Sequence, residues 1–315
     1  MVAALAGCAL ALAASAPAAA QGGAWSQAPA MPTARSEIAA TALGGRLYVV
    51  GGLGWLGTTA AFEVYDPGAG RWRELAPLPE ALHHPAAAAA LSRIYVTGGY
   101  GGLPFRLDRS ATYAYEPERD AWRRVADMPA PRAAHAMVAI EGKLYVVGGV
   151  GPDADRLWVY DPEGDRWDAS RAPLPTPREH LAAALLDGKL YVLGGRGYGH
   201  GNRATVEVYD PATDAWSKAP DLPLARGGFT AAALGGRIHA TGGESLSGGE
   251  TFAEHQVLAP ESGTWRLGPE LPRARHGLAS ASLEGRWYVI GGATKAGMLT
   301  LIPLSDEAAV FTPED

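Results

Sequence analysis

Lys143-Leu144-Tyr145-Val146-Val147-Gly148-Gly149 is a short apolar stretch ended by two glycines, and the chain contains six versions of it. The other glycine pairs begin at Gly51, Gly98, Gly194, Gly242 and Gly291. The steps between successive pairs are therefore 47, 50, 46, 48 and 49 residues. A period near 50 residues, built on short strands, is typical of small β-sheets arranged in a ring. The sequence thus predicts an all-β repeat fold.

The composition is that of a globular protein with many turns. The chain has 315 residues, of which 47% are hydrophobic and 19% are charged, as is usual for soluble proteins. Its 41 glycines and 24 prolines fall between the predicted strands, where turns require them. The net charge of −6 does not favour a nucleic-acid partner, because nucleic acids select basic surfaces.

Residues 1–20 differ from the rest because they are apolar and rich in alanine. They end in Ala18-Ala19-Ala20 before Gln21, as a cleaved secretory signal peptide does. This predicts a periplasmic or secreted mature protein of residues 21–315. Leu5-Ala6-Gly7-Cys8 also resembles a bacterial lipobox, which would instead anchor the protein through a lipid on Cys8. No other apolar run approaches 18 residues, so no transmembrane span is expected.

Each repeat combines segments of constant length with one variable segment. The 19 residues from a proline such as Pro129 to the next glycine pair are constant in all six copies, and they fit two strands joined by a two-residue turn. A third strand ends in a turn such as Tyr160-Asp161-Pro162, and a tryptophan follows seven residues after its aromatic residue. Between the glycine pair and that aromatic residue the length varies from 12 to 20 residues. Variable loops on a rigid scaffold often carry function.

Trp25 stands before the first hairpin, whereas the last repeat ends at Asp315 before a further tryptophan. Trp25 is therefore predicted to lie on the fourth strand of the sixth sheet, which would close the ring and leave no free sheet edge. The predicted fold is a single all-β domain over residues 21–315, a six-bladed β-propeller of four-stranded antiparallel blades.

Residues 25–315 resemble the kelch-repeat β-propeller family, because Gly-Gly, Tyr-Asp-Pro, Trp and Pro-x-x-Arg recur in that order. The resemblance implies that the repeated tyrosines and tryptophans pack between neighbouring blades. The order of the strands places the variable loops between strands 2 and 3 on the same side as the connections between strands 4 and 1. We call this side the loop face, and we expect it to be the functional face.

Five arginines occupy one position of the 4–1 connection, three residues after the proline: Arg35, Arg132, Arg178, Arg226 and Arg275. The second repeat has Leu82 there, followed by His83 and His84. A ring of arginines would bind carboxylates or other anions in bidentate fashion, and some family members use this ring to contact peptides. Alternatively, the guanidinium groups hold the blades together by binding backbone carbonyls.

The variable loops contain further candidates for ligand binding. Tyr100 lies in the second repeat, and Arg196, Tyr198 and His200 are spaced by glycines in the fourth. This glycine-spaced loop is either a recognition loop or a solvated one. Glu244 directly follows its glycine pair, and we expect it at the mouth of the channel.

The same residue types could support acid–base chemistry. Beside Arg226 or Arg275, Glu244 would be either a general base with a raised pKa or half of an ordinary ion pair. His135 and the other histidines near the arginines, His180 and His276, lie at different offsets from them. The sequence therefore predicts no metal site and no cofactor.

Comparison with enzymes of similar fold leaves one catalytic alternative. A galactose-oxidase-like copper site needs a cysteine, and the only one is Cys8. Sialic acid mutarotases of the family place an arginine six residues after a glutamate equivalent to Glu244, but here that position is Glu250. The sequence favours a monomeric extracytoplasmic scaffold that binds a protein segment or glycan. The alternative is a carbohydrate-active enzyme, such as a sialic-acid-type epimerase or mutarotase, with Glu244 as its only catalytic candidate.

Overall fold

The computed structural model describes residues 22–102, 109–199, 201–297 and 303–314. Residues 1–20 with Cys8, and the loop residue His200, lie outside the described residues. Within them, six four-stranded antiparallel sheets form the predicted six-bladed β-propeller. In this part of the chain no helix is long and apolar enough to cross a membrane.

We number the strands of each blade from the channel outward. In blades 1 to 6, strand 1 is Ala39–Leu43, Ala86–Ala90, Ala136–Ile140, Ala182–Leu186, Gly227–Leu234 and Ala279–Leu283. Strand 2 is Arg46–Val50, Arg93–Thr97, Lys143–Val147, Lys189–Leu193, Arg237–Ser245 and Arg286–Ile290. Strand 3 is Phe62–Asp66, Thr112–Glu116, Trp158–Asp161, Val206–Asp210, Gln256–Ala259 and Ala308–Pro313. Strand 4 is Arg71–Glu74, Ala121–Val125, Arg166–Asp168, Ala215–Ala219, Thr264–Leu267 and, for blade 6, Gly23–Ala28.

Short additional strands lie in three of the loops between strands 2 and 3. They are Leu53–Gly54 with Gly57–Thr58 in blade 1, Arg196–Gly197 with Gly201–Asn202 in blade 4, and Glu250–Thr251 in blade 5. These pairings order the loops that the sequence marks as variable.

The ring closes through the N-terminal strand, as predicted. Gly23–Ala28 pairs antiparallel with Ala308–Pro313, and Trp25 lies opposite Phe311. The indole Nε1 of Trp25 also donates a hydrogen bond of 2.8 Å to the carbonyl of Pro269. Because strands from both ends of the described chain share one blade, the propeller has no exposed end blade.

The hydrophobic core lies mainly between adjacent blades. Between blades 1 and 2, for example, Tyr48, Phe62, Ile94 and Tyr115 belong to one buried cluster. Strand 1 of blade 2 consists of alanine alone, which suits the limited space around the axis, whereas larger side chains fill the space farther out.

A repeated hydrogen-bonded clamp joins the turn between strands 3 and 4 of one blade to the segment that follows strand 4 of the preceding blade. Trp122 Nε1 donates to the carbonyl of Ala76 at 2.9 Å, and Asp120 accepts from the backbone N–H of Ala76 at 2.9 Å and from the hydroxyl of Tyr115 at 2.6 Å. Blades 3 and 4 repeat all three bonds. The repeated tyrosines and tryptophans thus have the structural role that the resemblance implied.

Candidate functional site

The five arginines of the 4–1 connections are completely buried. Each of their side chains is 0% exposed to solvent: Arg35, Arg132, Arg178, Arg226 and Arg275. Burial lowers the pKa of each of these groups, and that of Arg132 falls to about 9. An anion approaching from the channel would not meet their guanidinium groups.

In blades 1 and 4 the arginine binds a buried glutamate of strand 3. Arg178 Nη1 lies 2.5 Å from a carboxylate oxygen of Glu207, and it also donates to the carbonyl of Thr176 at 2.7 Å. The hydroxyl of Thr176 donates to the other oxygen of the same carboxylate at 2.7 Å. Arg35 and Glu63 form the equivalent pair at 2.5 Å. These side chains join strand 3 to the start of strand 1.

The other three arginines reach the same region of their own blades with different partners. Arg132 stacks on Trp158 at 3.4 Å from the ring centroid, and Trp158 occupies the position that Glu207 holds in blade 4. Arg226 donates to the carbonyls of Gly242 and Glu254, and Arg275 donates to the hydroxyl of Ser305 and the carbonyl of Glu307. The geometry therefore supports the structural alternative for all five arginines.

A closed ring of backbone hydrogen bonds surrounds the channel near the loop face. It is formed by the residues two positions after the arginine site: Glu37, His84, Ala134, His180, Gly228 and Gly277. Each N–H donates to the carbonyl of the preceding blade, at 2.6 to 3.1 Å, and the bond from Glu37 to Gly277 completes the circle. All six residues have positive φ angles between 50° and 65°. The ring fixes these residues at one level on the axis.

Three of the ring residues bring ionisable side chains together. Glu37, His84 and His180 each place one potential ligand atom within 4.8 Å of the others. His84 Nε2 lies 3.1 Å from Glu37 Oε2, and the rings of His84 and His180 meet edge to face at 4.8 Å. We call these three residues the axial triad.

Four further charged or ionisable residues surround the axial triad: Glu179, Arg196, Glu244 and His276. His276 Nδ1 lies 3.2 Å from Glu244 Oε1 and 3.6 Å from Glu37 Oε1, and its Nε2 lies 2.9 Å from the carbonyl of Lys295. Arg196 contacts the carboxylates of both Glu179 and Glu244. We call these four residues the rim network.

Glu244 lies near the channel, as expected, but the prediction that Arg226 or Arg275 would be its partner is wrong. Arg226 and Arg275 point into their own blades, and Arg196 binds Glu244 instead. The N–H of Gly297 donates to Glu244 Oε2 at 2.6 Å. Burial alone would raise the pKa of Glu244, but His276, Arg196 and this N–H together lower it. A lowered pKa favours the ion pair over the general base.

Burial shifts the pKa values of all three residues of the axial triad away from their ordinary values. It raises the pKa of Glu37, which His276 and Arg196 offset only in part. It lowers the pKa of His84 to about 3 and that of His180 well below its ordinary value, with further lowering by Arg196. Burial also opposes the charged form of His276, but the hydrogen bond to Glu244 and the nearby Glu37 raise its pKa. At neutral pH the two histidines of the triad are therefore neutral.

The remaining predicted loop residues lie around this centre. Tyr198 is 48% exposed, and its hydroxyl donates to the carbonyl of Gly149. Tyr100 packs against the rings of His83 and His84. Arg196, expected in a flexible recognition loop, is instead buried between two carboxylates. Ligand binding by these residues stays a prediction.

The loops also present large apolar side chains to solvent, which sequence reasoning did not single out as a group. Trp55 is 72% exposed and Leu56 is 97% exposed, at the tip of the blade 1 hairpin, and Leu246 in blade 5 is 54% exposed. Sequence reasoning also missed Glu37 and His84 as site residues. Both residues lie two positions after the arginine site of their repeats. An alignment of the six repeats would have shown that they occupy the same position.

Comparison with known proteins agrees with this architecture. The sequence-family model of the KLHDC2/KLHL20/DRC7 Kelch-repeats domain matches residues 21–149 and 134–311. No curated protein matches the chain. The solved structure of YjhT is similar with a TM-score of 0.78 over 90% of this chain and 97% of YjhT, and at 18% identity this similarity concerns the fold alone. Because the matched segments span nearly all of the propeller, the chain belongs to the Kelch-repeat family.

Proposed function

We propose that this protein is an extracytoplasmic binding scaffold that recognises a protein segment or a glycan on its loop face. The observation that carries the proposal is the distribution of exposed apolar side chains. Among the described residues six large hydrophobic side chains are exposed. Four of them lie in loops between strands 2 and 3: Trp55, Leu56, Tyr198 and Leu246.

Such side chains favour binding because they gain free energy when a partner covers them. Tryptophan and tyrosine are frequent among the residues that dominate binding energy, and binding residues concentrate in loops held by a rigid scaffold. Beneath these loops, the charged groups of the rim network are largely buried and bind one another. The five arginines have no part in the proposal, since they are buried. The extracytoplasmic location rests on the composition of residues 1–20.

A glycan and peptide array probed with residues 21–315 tests the proposal. For each ligand found, the double variant Trp55→Ala/Leu56→Ser should bind at least about 10-fold more weakly, as loss of more than about 1.4 kcal/mol requires. Leu267→Ser is the matched control, because Leu267 is 57% exposed but lies on an outer strand. It should bind as the wild type does.

Two results would contradict the proposal. One is binding that the double variant leaves unchanged, which would place the ligand elsewhere. The other is accelerated anomeric exchange of sialic or uronic acids, followed by nuclear magnetic resonance, which would show a catalyst instead of a simple binding scaffold. Slowing of that exchange by Glu244→Gln would then assign the activity to the rim network.

A further inference from the structure

The axial triad has the residue types and the spacing of a metal site. We propose that Glu37, His84 and His180 bind a divalent transition-metal ion, of which Zn²⁺ is the representative, on the axis of the propeller. The three residues come from blades 1, 2 and 4, and the backbone ring holds them at the same level. This inference does not depend on the proposed binding function.

The distances within the triad suit a metal ion. Zinc binds nitrogen and oxygen ligands at about 2.0–2.2 Å, so ligand atoms lie roughly 3.4 Å apart in a tetrahedral site. The separation of 3.1 Å between His84 Nε2 and Glu37 Oε2 is already close to this value. Since all three atoms lie within 4.8 Å of one another, side-chain movements of roughly 1 Å would bring the third ligand into place.

The choice of ligands indicates the class of metal. Two imidazoles and one carboxylate suit Zn²⁺ and other borderline transition-metal ions. Calcium and magnesium prefer sites made of oxygen alone. Three protein ligands also leave at least one coordination position for water or for a group of a bound molecule, as in catalytic zinc sites.

Each residue of the triad lies next to a second ionisable side chain. His84 Nδ1 lies 2.6 Å from His83 Nδ1, which leaves Nε2 facing Glu37. His180 Nδ1 contacts the carboxylate of Glu179, and Glu37 Oε1 lies 3.6 Å from His276 Nδ1. Metal-binding histidines almost always have such a partner on the other ring nitrogen, and a carboxylate is a common one.

Charge and space around the triad also favour a cation. Three carboxylates, Glu37, Glu179 and Glu244, gather around Arg196 and His276. A cavity of about 90 Å³ lies beside the ring and is lined by all six ring residues. A metal ion at its edge would stabilise the buried carboxylate of Glu37, because burial disfavours a charge that has no counterion.

Titration calorimetry with Zn²⁺ on tag-free protein tests the proposal. We expect one ion per chain for the wild type, and a loss of affinity of at least 100-fold in His84→Asn and His180→Asn. Asparagine is suitable because it tolerates the positive φ angles at these positions, which are 57° and 50°. The matched control is His135→Asn, because His135 lines the same cavity but lies outside the triad. It should bind Zn²⁺ as the wild type does.

Zinc binding of equal strength in the wild type and in folded His84→Asn would overturn the proposal, and so would a folded wild type that binds no Zn²⁺. If a variant fails to fold, the wild type loaded with Co²⁺ provides a test that needs no variant. The visible absorption spectrum of the Co²⁺-loaded wild type should show a four- or five-coordinate ion. A spectrum identical to that of Co²⁺ in buffer would refute the site.

Discussion

Replacing Arg178 by alanine should destabilise the propeller strongly, whatever ligand the protein binds. The substitution removes the hydrogen bonds to the carbonyls of Thr176 and Val192. It also leaves the carboxylate of Glu207, which is 1% exposed, without its cationic partner. The prediction separates a structural arginine from a ligand-binding one, because a ligand-binding arginine could be removed without loss of stability.

The magnitude follows from the burial of both partners. Breaking a fully buried ion pair by removing one member costs about 3–5 kcal/mol, because an uncompensated charge stays in the interior. Arg166 provides the matched control, since its pair with Asp161 at 3.2 Å is formed by a side chain that is 76% exposed. Removal of an exposed pair changes the free energy of unfolding by only about 0–1 kcal/mol.

Urea unfolding followed by tryptophan fluorescence measures both variants. The double variant Arg178→Ala/Glu207→Ala should lose less stability than the two single losses added together, because it removes the orphaned charge as well. If Arg178→Ala unfolded within about 0.5 kcal/mol of the wild type yet lost a ligand found on the array, the arginine would face that ligand and our structural interpretation would be refuted.

Two further predictions concern the contacts between blades. The hydrogen bond from the hydroxyl of Tyr115 lowers the pKa of Asp120 and outweighs the opposing effect of burial. Equivalent hydrogen bonds from Tyr160 and Tyr209 lower the pKa values of Asp165 and Asp214. Since their folded pKa values lie below those of the unfolded chain, the stability they add is complete above about pH 4. This stability is lost as the pH falls through the lowered pKa values. The melting temperature should therefore decrease less steeply between pH 5 and pH 2 in the triple variant Asp120→Asn/Asp165→Asn/Asp214→Asn than in the wild type. Trp25→Ala should lower the free energy of unfolding by about 2–3 kcal/mol, less than the loss of a fully buried tryptophan, whereas Trp55→Ala should leave it unchanged.

The fold could be predicted because the same pattern of strands and turns occurs six times in the sequence. Strand lengths, tight turns and the position of each tryptophan recur at constant spacing, and any other arrangement would leave the pairing of Trp25 unexplained. The pairing of Trp25 with Phe311 needed only the count of tryptophans. Pairing between strands that are far apart in sequence can be predicted for repeat proteins, because every repeat packs against its neighbours in the same way.

The site could be predicted only in part, because a repeated position does not reveal where its side chain points. The partner of Arg178 is Glu207, 29 residues later, and the partner of Arg132 is Trp158 at the equivalent position. Only the structure shows that these positions face each other within a blade. The position of Glu244 near the axis was predictable from its glycine pair, whereas its bond to Arg196 comes from a neighbouring blade.

The six residues of the backbone ring all need a positive φ angle, but only two of them are glycine. Gly228 and Gly277 hold positive φ angles of 65° and 59° without strain, because glycine has no side chain to clash. Glu37, His84 and His180 adopt φ angles of 53°, 57° and 50° at equivalent positions, where backbone strain costs on the order of 1–3 kcal/mol for each residue. The arginine site, by contrast, has the same residue in five of six blades, as a position needed by every blade should. Three strained, ionisable side chains from blades 1, 2 and 4 occupy positions that glycine would satisfy, and their convergence on the axis supports the proposed metal site.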